Sequence, residues 1–142
     1  MSIDISSEPS AIRNYLTSAT TIAVVGLSED PSKASHDVAR YLQQAGYRII
    51  PVNPMLTGPV LGEQPYAKLT DIPADIRIDI IDVFRRAADM PGVAEQALKR
   101  PAPLFWMQLG IRNDDATAIL TVAGFDVIQD RCIKIDHALL VR

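Results

Sequence analysis

The stretch that decides the fold is TTIAVVGLSEDPSKASHDVARYL, Thr20 to Leu42. It opens on Ile22-Ala23-Val24-Val25, an apolar run that is β-rich and too brief for a core helix, so it reads as a buried strand. Gly26 stops the run, and a polar loop from Leu27 to Ser35 leads into a helical pattern. Val38, Tyr41, Leu42 and Ala45 recur at i, i+3, i+4 and i+7, which lays one apolar stripe along a helix that Gly46 closes. Strand, glycine turn and helix N-terminus together place free backbone N–H groups and the positive end of a helix dipole before an anion. A phosphate-bearing ligand is the first expectation.

Outward from this unit the alternation continues. Met1 to Ser7 is polar and reads as a loose arm. Ser7-Glu8-Pro9 reads as a helix start with Ser7 at the cap, followed by the stripe Ile12, Tyr15, Leu16 and Ala19. Downstream, Tyr47 to Val52 is a second strand ended by Asn53-Pro54. A Gly- and Pro-containing loop, Thr57 to Pro65, and one short helical turn from Leu69 to Pro73 come next. Ile76 to Phe84 is so densely apolar that both faces of this third strand are expected to be covered. Asp89 and Pro91 open a helix with the stripe Met90, Val93, Ala94, Ala97 and Leu98. Leu104 to Leu109 is the fourth strand, ended by Gly110. Asn113 caps a helix carrying Asp114 and Asp115 in its first turn, Phe125 to Ile128 is the last strand, and Asp130 to Arg142 holds a closing helix. The expected fold is α/β: a three-layer, Rossmann-like, doubly wound sandwich with a parallel sheet of about five strands. All of 1–142 is expected to form one domain.

Composition narrows the partners. With 48% hydrophobic residues the 142-residue chain is not disordered, and a net charge of −3 gives no bulk attraction for nucleic acid or an anionic membrane. The lone cysteine, Cys132, excludes an intramolecular disulfide and a Cys-rich metal site. Neither a leader pattern nor an apolar run of about 18 residues is present, so a cytoplasmic protein is expected.

In a doubly wound sheet the ligand crevice lies beyond the carboxyl ends of the strands, so the residues after each strand are the candidates. After the first come Gly26, Leu27 and Ser28, then Lys33 and Ser35, whose hydroxyls and ammonium can all donate to phosphate. Gly26 alone also fits a turn that merely lacks room for a Cβ. Set against G-x-G-x-x-G, only the first glycine is present. The second strand ends in Pro51-Val52-Asn53-Pro54, where an NAD site wants an acid for the ribose. The third ends in Asp82-Val83-Phe84-Arg85, an apolar pair that can wall a ligand beside an arginine that can meet phosphate. Phe84 filling core is the plain alternative. Gln108 and Gly110 follow the fourth strand, Arg131 and Cys132 the fifth. No acid–base pair, nucleophile with its base, or metal-ligand spacing stands out. His36 is expected against phosphate or solvent.

Taken in order, VVGLSEDPSKASHDVARYLQQAGYRIIPVNP, IDIIDVFRR, LFWMQLGI and VIQDRCIKIDH closely resemble the stand-alone CoA-binding domain family. That family is similar to the N-terminal CoA-binding domain of the succinyl-CoA synthetase α subunit and of ADP-forming acyl-CoA synthetases. The resemblance spans about Ile12 to His137 and implies coenzyme A or an acyl-CoA as ligand. It implies that Gly26, Leu27 and Ser28, with Lys33 and Ser35, turn over the pyrophosphate, and that Pro51, Val52, Asn53 and Pro54 edge the nucleotide. Asp82, Val83, Phe84 and Arg85 would flank the adenosine or the start of the pantetheine arm, with Gln108, Gly110, Arg131 and Cys132 further along. The synthetases' phosphorylatable histidine sits in a following domain, and no loop here matches it, so binding without turnover is the expectation. The alternatives are a Cys132-dependent acyl transfer, one chain of a split acyl-CoA synthetase working with a protein partner, and an NAD-type redox sensor.

Overall fold

The computed structural model describes residues 2–141. Strands β1 (Thr21–Val25), β2 (Arg48–Val52), β3 (Ile80–Val83), β4 (Leu104–Met107) and β5 (Asp126–Ile128) form one parallel sheet in the order β2-β1-β3-β4-β5. Helices α1 (Pro9–Ser18), α2 (Ala34–Gln44), α3 (Met90–Lys99), α4 (Asp114–Val122) and α5 (Ile133–Leu140) cover its two faces. Alternate strand residues feed two cores. Ile22, Val24, Ile80, Leu104 and Trp106 pack with Ile12 of α1, Val38 and Leu42 of α2, and Ile133 of α5. Ala23, Val25, Ile81, Val83, Phe105 and Met107 pack with Met90 and Val93 of α3 and Leu120 of α4. Every residue of β1, β3 and β4 is therefore buried, which explains why their sequences run apolar without alternation. The architecture is the expected three-layer, doubly wound α/β fold.

From β1 the chain winds out to β2, then returns to the other side of β1 as β3. The reversal leaves a switch point between β1 and β3. Register aligns Val25 with both Val52 and Val83, so these strands end at one level and their exits share a rim.

Local boundaries differ from expectation for identifiable reasons. The strand expected from Ile76 begins at Ile80, because Asp79 turns back to accept from Thr20 and Thr21. Leu109 lies beyond β4, and the cap expected for α3 fails: Asp89 is turned to Arg85 and Arg86 and makes no capping bond. At α1 Glu8, not Ser7, is the cap residue, while Pro9 opens the helix as expected. Asn113 does cap α4, accepting from the Ala116 amide at 2.9 Å.

The N-terminal arm is not loose. Ile5 N–H donates to the Val127 carbonyl at 2.8 Å and Val127 N–H to the Ile3 carbonyl at 3.0 Å, extending the sheet past β5 in parallel. Ile5 is buried, and Asp4 and Ser6 add bonds to Gln129. The arm thus covers what would be an open strand edge. Its first residue, Met1, and the last residue of the closing segment, Arg142, lie outside the described residues. Among the described residues no helix is long and apolar enough to cross a membrane.

Candidate site at the carboxyl rim of the sheet

The β1–α2 turn is held from both sides. Gly26 has φ +84°, and its N–H donates to the Val52 carbonyl at 2.7 Å. A Cβ there would stand 2.3 Å from the Phe84 carbonyl oxygen, so the glycine is demanded by the exit of β3 packing across the exit of β1. Asn53 fastens the same turn, donating to the Leu27 carbonyl at 3.1 Å while its own carbonyl accepts from Met55 N–H. Where an NAD site would show an acid, this chain shows a structural strap.

Several donors in the loop are already used. Ser28 N–H donates to Ser35 Oγ at 3.0 Å, and Asp30 N–H donates to Ser28 Oγ at 3.0 Å. His36 is buried, and its Nδ1 donates to the Ser28 carbonyl at 2.9 Å, so that nitrogen pins the loop instead of meeting a phosphate. What remains for an anion is the first turn of α2. Among the described residues the amides of Ala34 and Ser35 have no backbone acceptor, each serine hydroxyl keeps its proton, and the Lys33 ammonium is exposed.

Two cavities open at this rim, one on each side of the sheet. The first, about 450 Å³, lies towards α3 and is walled by Val52, Pro54, Lys68, Arg85, Asp89 and Gln96. The second, about 500 Å³, lies towards α2 and the start of α5; Ala34, Val38, Phe84, Leu109, Ile111 and Cys132 give it an apolar wall, with Gln108 beside them. Arg85 lines both, so its side chain stands where they meet. The Arg85 guanidinium lies 3.7 Å from Asp89. Asp89 is held below the usual carboxylate range by its bond to Arg86, which together with the charges of Arg86 and Arg85 outweighs the opposing effect of burial.

Of the residues singled out from sequence, Val52, Pro54, Phe84, Arg85, Gln108 and Cys132 line these cavities. Others do not. Leu27 and Val83 are buried in the cores, and Gly110 gives its N–H to Asp130 Oδ1 at 2.7 Å. Arg131 is occupied by a two-pronged pair with Asp136, at 2.7 and 2.8 Å, and by the Ser6 carbonyl. Asp82 has no exposed surface: Gln108 Nε2 donates to its Oδ1, and its Oδ2 has no partner. Burial outweighs that one bond and pushes the carboxyl up to about 7.

Sequence reasoning missed Lys68 and Gln96. Lys68 reaches the rim because the loop after β2 folds back, with Tyr66 N–H on the Pro51 carbonyl at 2.9 Å and Asn53 N–H on the Tyr66 carbonyl at 2.9 Å. Nothing in its Gly and Pro content announces that return.

Residues 20–138 match the family model of the CoA binding domain. The chain belongs to that CoA-binding family. This CoA-binding domain is 46% identical over 128 residues to an uncharacterized protein, YneT, of Bacillus subtilis (strain 168), covering 90% of this chain and 93% of that protein. A solved Thermus thermophilus protein, cell-free ID.343, superposes with a TM-score of 0.89 at 39% identity, covering 94% of this chain and 98% of its own. Acetyl-coenzyme A synthetase 1 of Ca. Korarchaeum cryptofilum, solved in complex with phosphate and ADP, shares the fold at 24% identity and a TM-score of 0.65. That likeness covers 76% of this CoA-binding domain and 25% of the synthetase chain.

Proposed function

We propose that this domain binds coenzyme A or an acyl-CoA across the carboxyl rim of its sheet, and does so without catalysis. The observation that carries the reading is the pair of unlike cavities meeting at Arg85, beside the open first turn of α2. A nucleotide bearing phosphates calls for donors and cations, which Lys33, Lys68, Arg85 and the Ala34 and Ser35 amides supply. A long arm that is mostly aliphatic calls for an apolar channel, which the Phe84, Leu109 and Cys132 side supplies. A nucleotide head in the first cavity and an arm in the second use both. Membership of the CoA-binding family supports the choice of ligand. A cytoplasmic setting and a protein partner from acyl-CoA metabolism belong to the same proposal.

Isothermal titration with CoA, ADP and NADH tests it. CoA should bind most tightly and ADP more weakly; NADH binding with CoA silent overturns the reading. Arg85→Ala should weaken CoA roughly tenfold, the scale of one bond to a charged group.

A second reading, acyl transfer to Cys132, draws on the position of that thiol in the wall of the apolar cavity. No hydrogen bond joins that thiol to a base among the described residues: the Nδ1 of His36 is turned to the Ser28 carbonyl, and that of His137 to the Tyr41 hydroxyl at 2.8 Å. Intact-mass measurement after exposure to acetyl-CoA decides it. A mass gain that disappears in Cys132→Ser would establish the transfer, and an unchanged mass removes it.

A further inference from the structure

Asp82 sits opposite Val24 and Trp106 in register, and both of these belong to the core beneath α2 and α5. Its side chain therefore faces the same side of the sheet as Phe84 and Gln108, below the apolar cavity those two residues line. A carboxylate only accepts, so the Gln108 amide must turn its NH₂ inward to meet it. Asp82 Oδ2 is the one buried side-chain nitrogen or oxygen without a partner among the described residues. No donor reaches the Gln108 carbonyl oxygen among those residues either, so that oxygen is open to the cavity.

We infer that Asp82 is a positioning residue for ligand recognition. By its hydrogen bond it fixes which end of the Gln108 amide faces the cavity, so that the crevice offers a carbonyl acceptor to an amide N–H on the ligand's arm. The inference rests on the CoA reading, because the pantetheine arm carries amide N–H groups where an arm of plain hydrocarbon carries none.

The arrangement is reversible. A protonated Asp82 has an O–H to donate, and the Gln108 carbonyl is the acceptor within reach; the amide then turns over and shows its NH₂ to the cavity. Burial places this exchange near neutrality, with the carboxyl pushed up to about 7. The charged and titratable groups around the cavity are Arg85 and Arg86 from the exit of β3 and Cys132 from the start of α5. His36 of α2 is turned to the Ser28 carbonyl, and Arg131 and Asp136 are paired with each other. None of these charges contributes to the Asp82 shift, which comes from burial opposed by the Gln108 bond.

The test is calorimetry at about pH 6 and about pH 8 with CoA and with 3′-phosphoadenosine 5′-diphosphate methylated on its outer phosphate, which carries the same three phosphates in the same ionisation states but has no arm. The ratio of the two affinities isolates the arm. In the wild type the ratio should favour CoA by roughly three- to tenfold more at the higher pH, the scale of one hydrogen bond. Asp82→Asn should abolish the pH dependence, and so should Gln108→Met, which keeps the question open to test should the first variant not fold. A ratio indifferent to pH in the wild type overturns the inference and leaves the CoA reading standing, as does a pH dependence that survives both substitutions. A wild type that binds the armless methyl ester but gains nothing from CoA overturns both.

Discussion

Two aspartates three residues apart in sequence meet opposite fates at the two ends of β3. Asp79, just before the strand, has 13% of its side chain exposed, accepts from Thr20 N–H, Thr20 Oγ and Thr21 N–H at 2.9–3.0 Å, and pairs with Arg77 at 3.0 Å. Burial alone would raise its pKa, but the bonds from Thr20 and Thr21, and then the Arg77 charge, hold it below the usual value. Asp82, within the strand, has one donor and an empty oxygen. The same asymmetry runs across the sheet. At the amino end of β5, Asp126 takes the Tyr15 hydroxyl at 2.5 Å and Ile3 N–H at 3.0 Å. The amino edge of the sheet is closed by satisfied carboxylates, while the carboxyl rim keeps a buried group short of partners. Unmet hydrogen-bonding capacity costs stability, and this fold retains it at the end where the proposed ligand site lies.

The hardest way to break the comparison is to disturb the rim itself. Gly26→Ala forces a Cβ to within 2.3 Å of the Phe84 carbonyl at a backbone φ of +84°. The β1 and β3 exits must then separate, and the expected loss is at least about 3 kcal/mol, read as a fall in the urea midpoint. For this reason Gly26 is a poor probe of ligand contact. At the amino edge, Asp79→Ala removes three donated bonds at once, with an expected loss of about 2–3 kcal/mol in the same measurement. The sign with pH follows from its depressed pKa: the Asp79 contribution is present above the ordinary carboxylate value and is lost as pH falls through the folded-state value. Asp79→Ala should therefore differ least from wild type in acid.

The sheet and its strand exits are legible in the sequence; the fates of the two aspartates are not. Apolar runs such as Ile78-Asp79-Ile80-Ile81 and Leu104-Phe105-Trp106-Met107, set between helical stripes, imply a sheet covered on both faces. The doubly wound form then directs attention to the strand exits, where Arg85, Phe84 and Gln108 do line the cavities. What the linear pattern hides is which way each exit residue points. Leu27 and Val83 belong to the cores, and Asp82 lies beneath the crevice floor, because alternation along the strand sends neighbours to opposite faces and depth is set by the helices above. Return paths are hidden too. Lys68 reaches the rim through backbone bonds between Tyr66 and the end of β2, and the arm at Ile3 to Ser6 adds to the sheet through backbone groups that every residue carries. Such pairings leave no mark in side-chain identity.

Asp82→Asn should move stability the opposite way. A carboxyl raised in the folded state contributes stability that is fully present below its unfolded value of 3.8 and is lost as pH rises through about 7. The wild type should thus weaken between about pH 5 and about pH 8, and the neutral amide should not, leaving the variant more stable at the upper end by about 1–2 kcal/mol. Urea midpoints at the two pH values check this, and a variant weaker than wild type at both would mean that Asp82 Oδ2 has a partner after all.

The smallest effect sharpens the comparison from outside it. Arg86 follows β3 at the same rim, but its side chain is 85% exposed and meets Asp89 at 3.4 Å. An exposed pair of this kind is screened and holds two long side chains at an entropic cost, so Arg86→Ala should shift the midpoint by no more than about 0.5 kcal/mol. Arg85, one residue earlier, is half-covered between the two cavities, and its replacement should be felt in CoA affinity more than in stability. If Arg86→Ala weakened CoA as much as Arg85→Ala, the ligand would be gripped by the outer lip of the rim. An effect confined to Arg85 points to the junction of the cavities, because Arg86 borders only the apolar one.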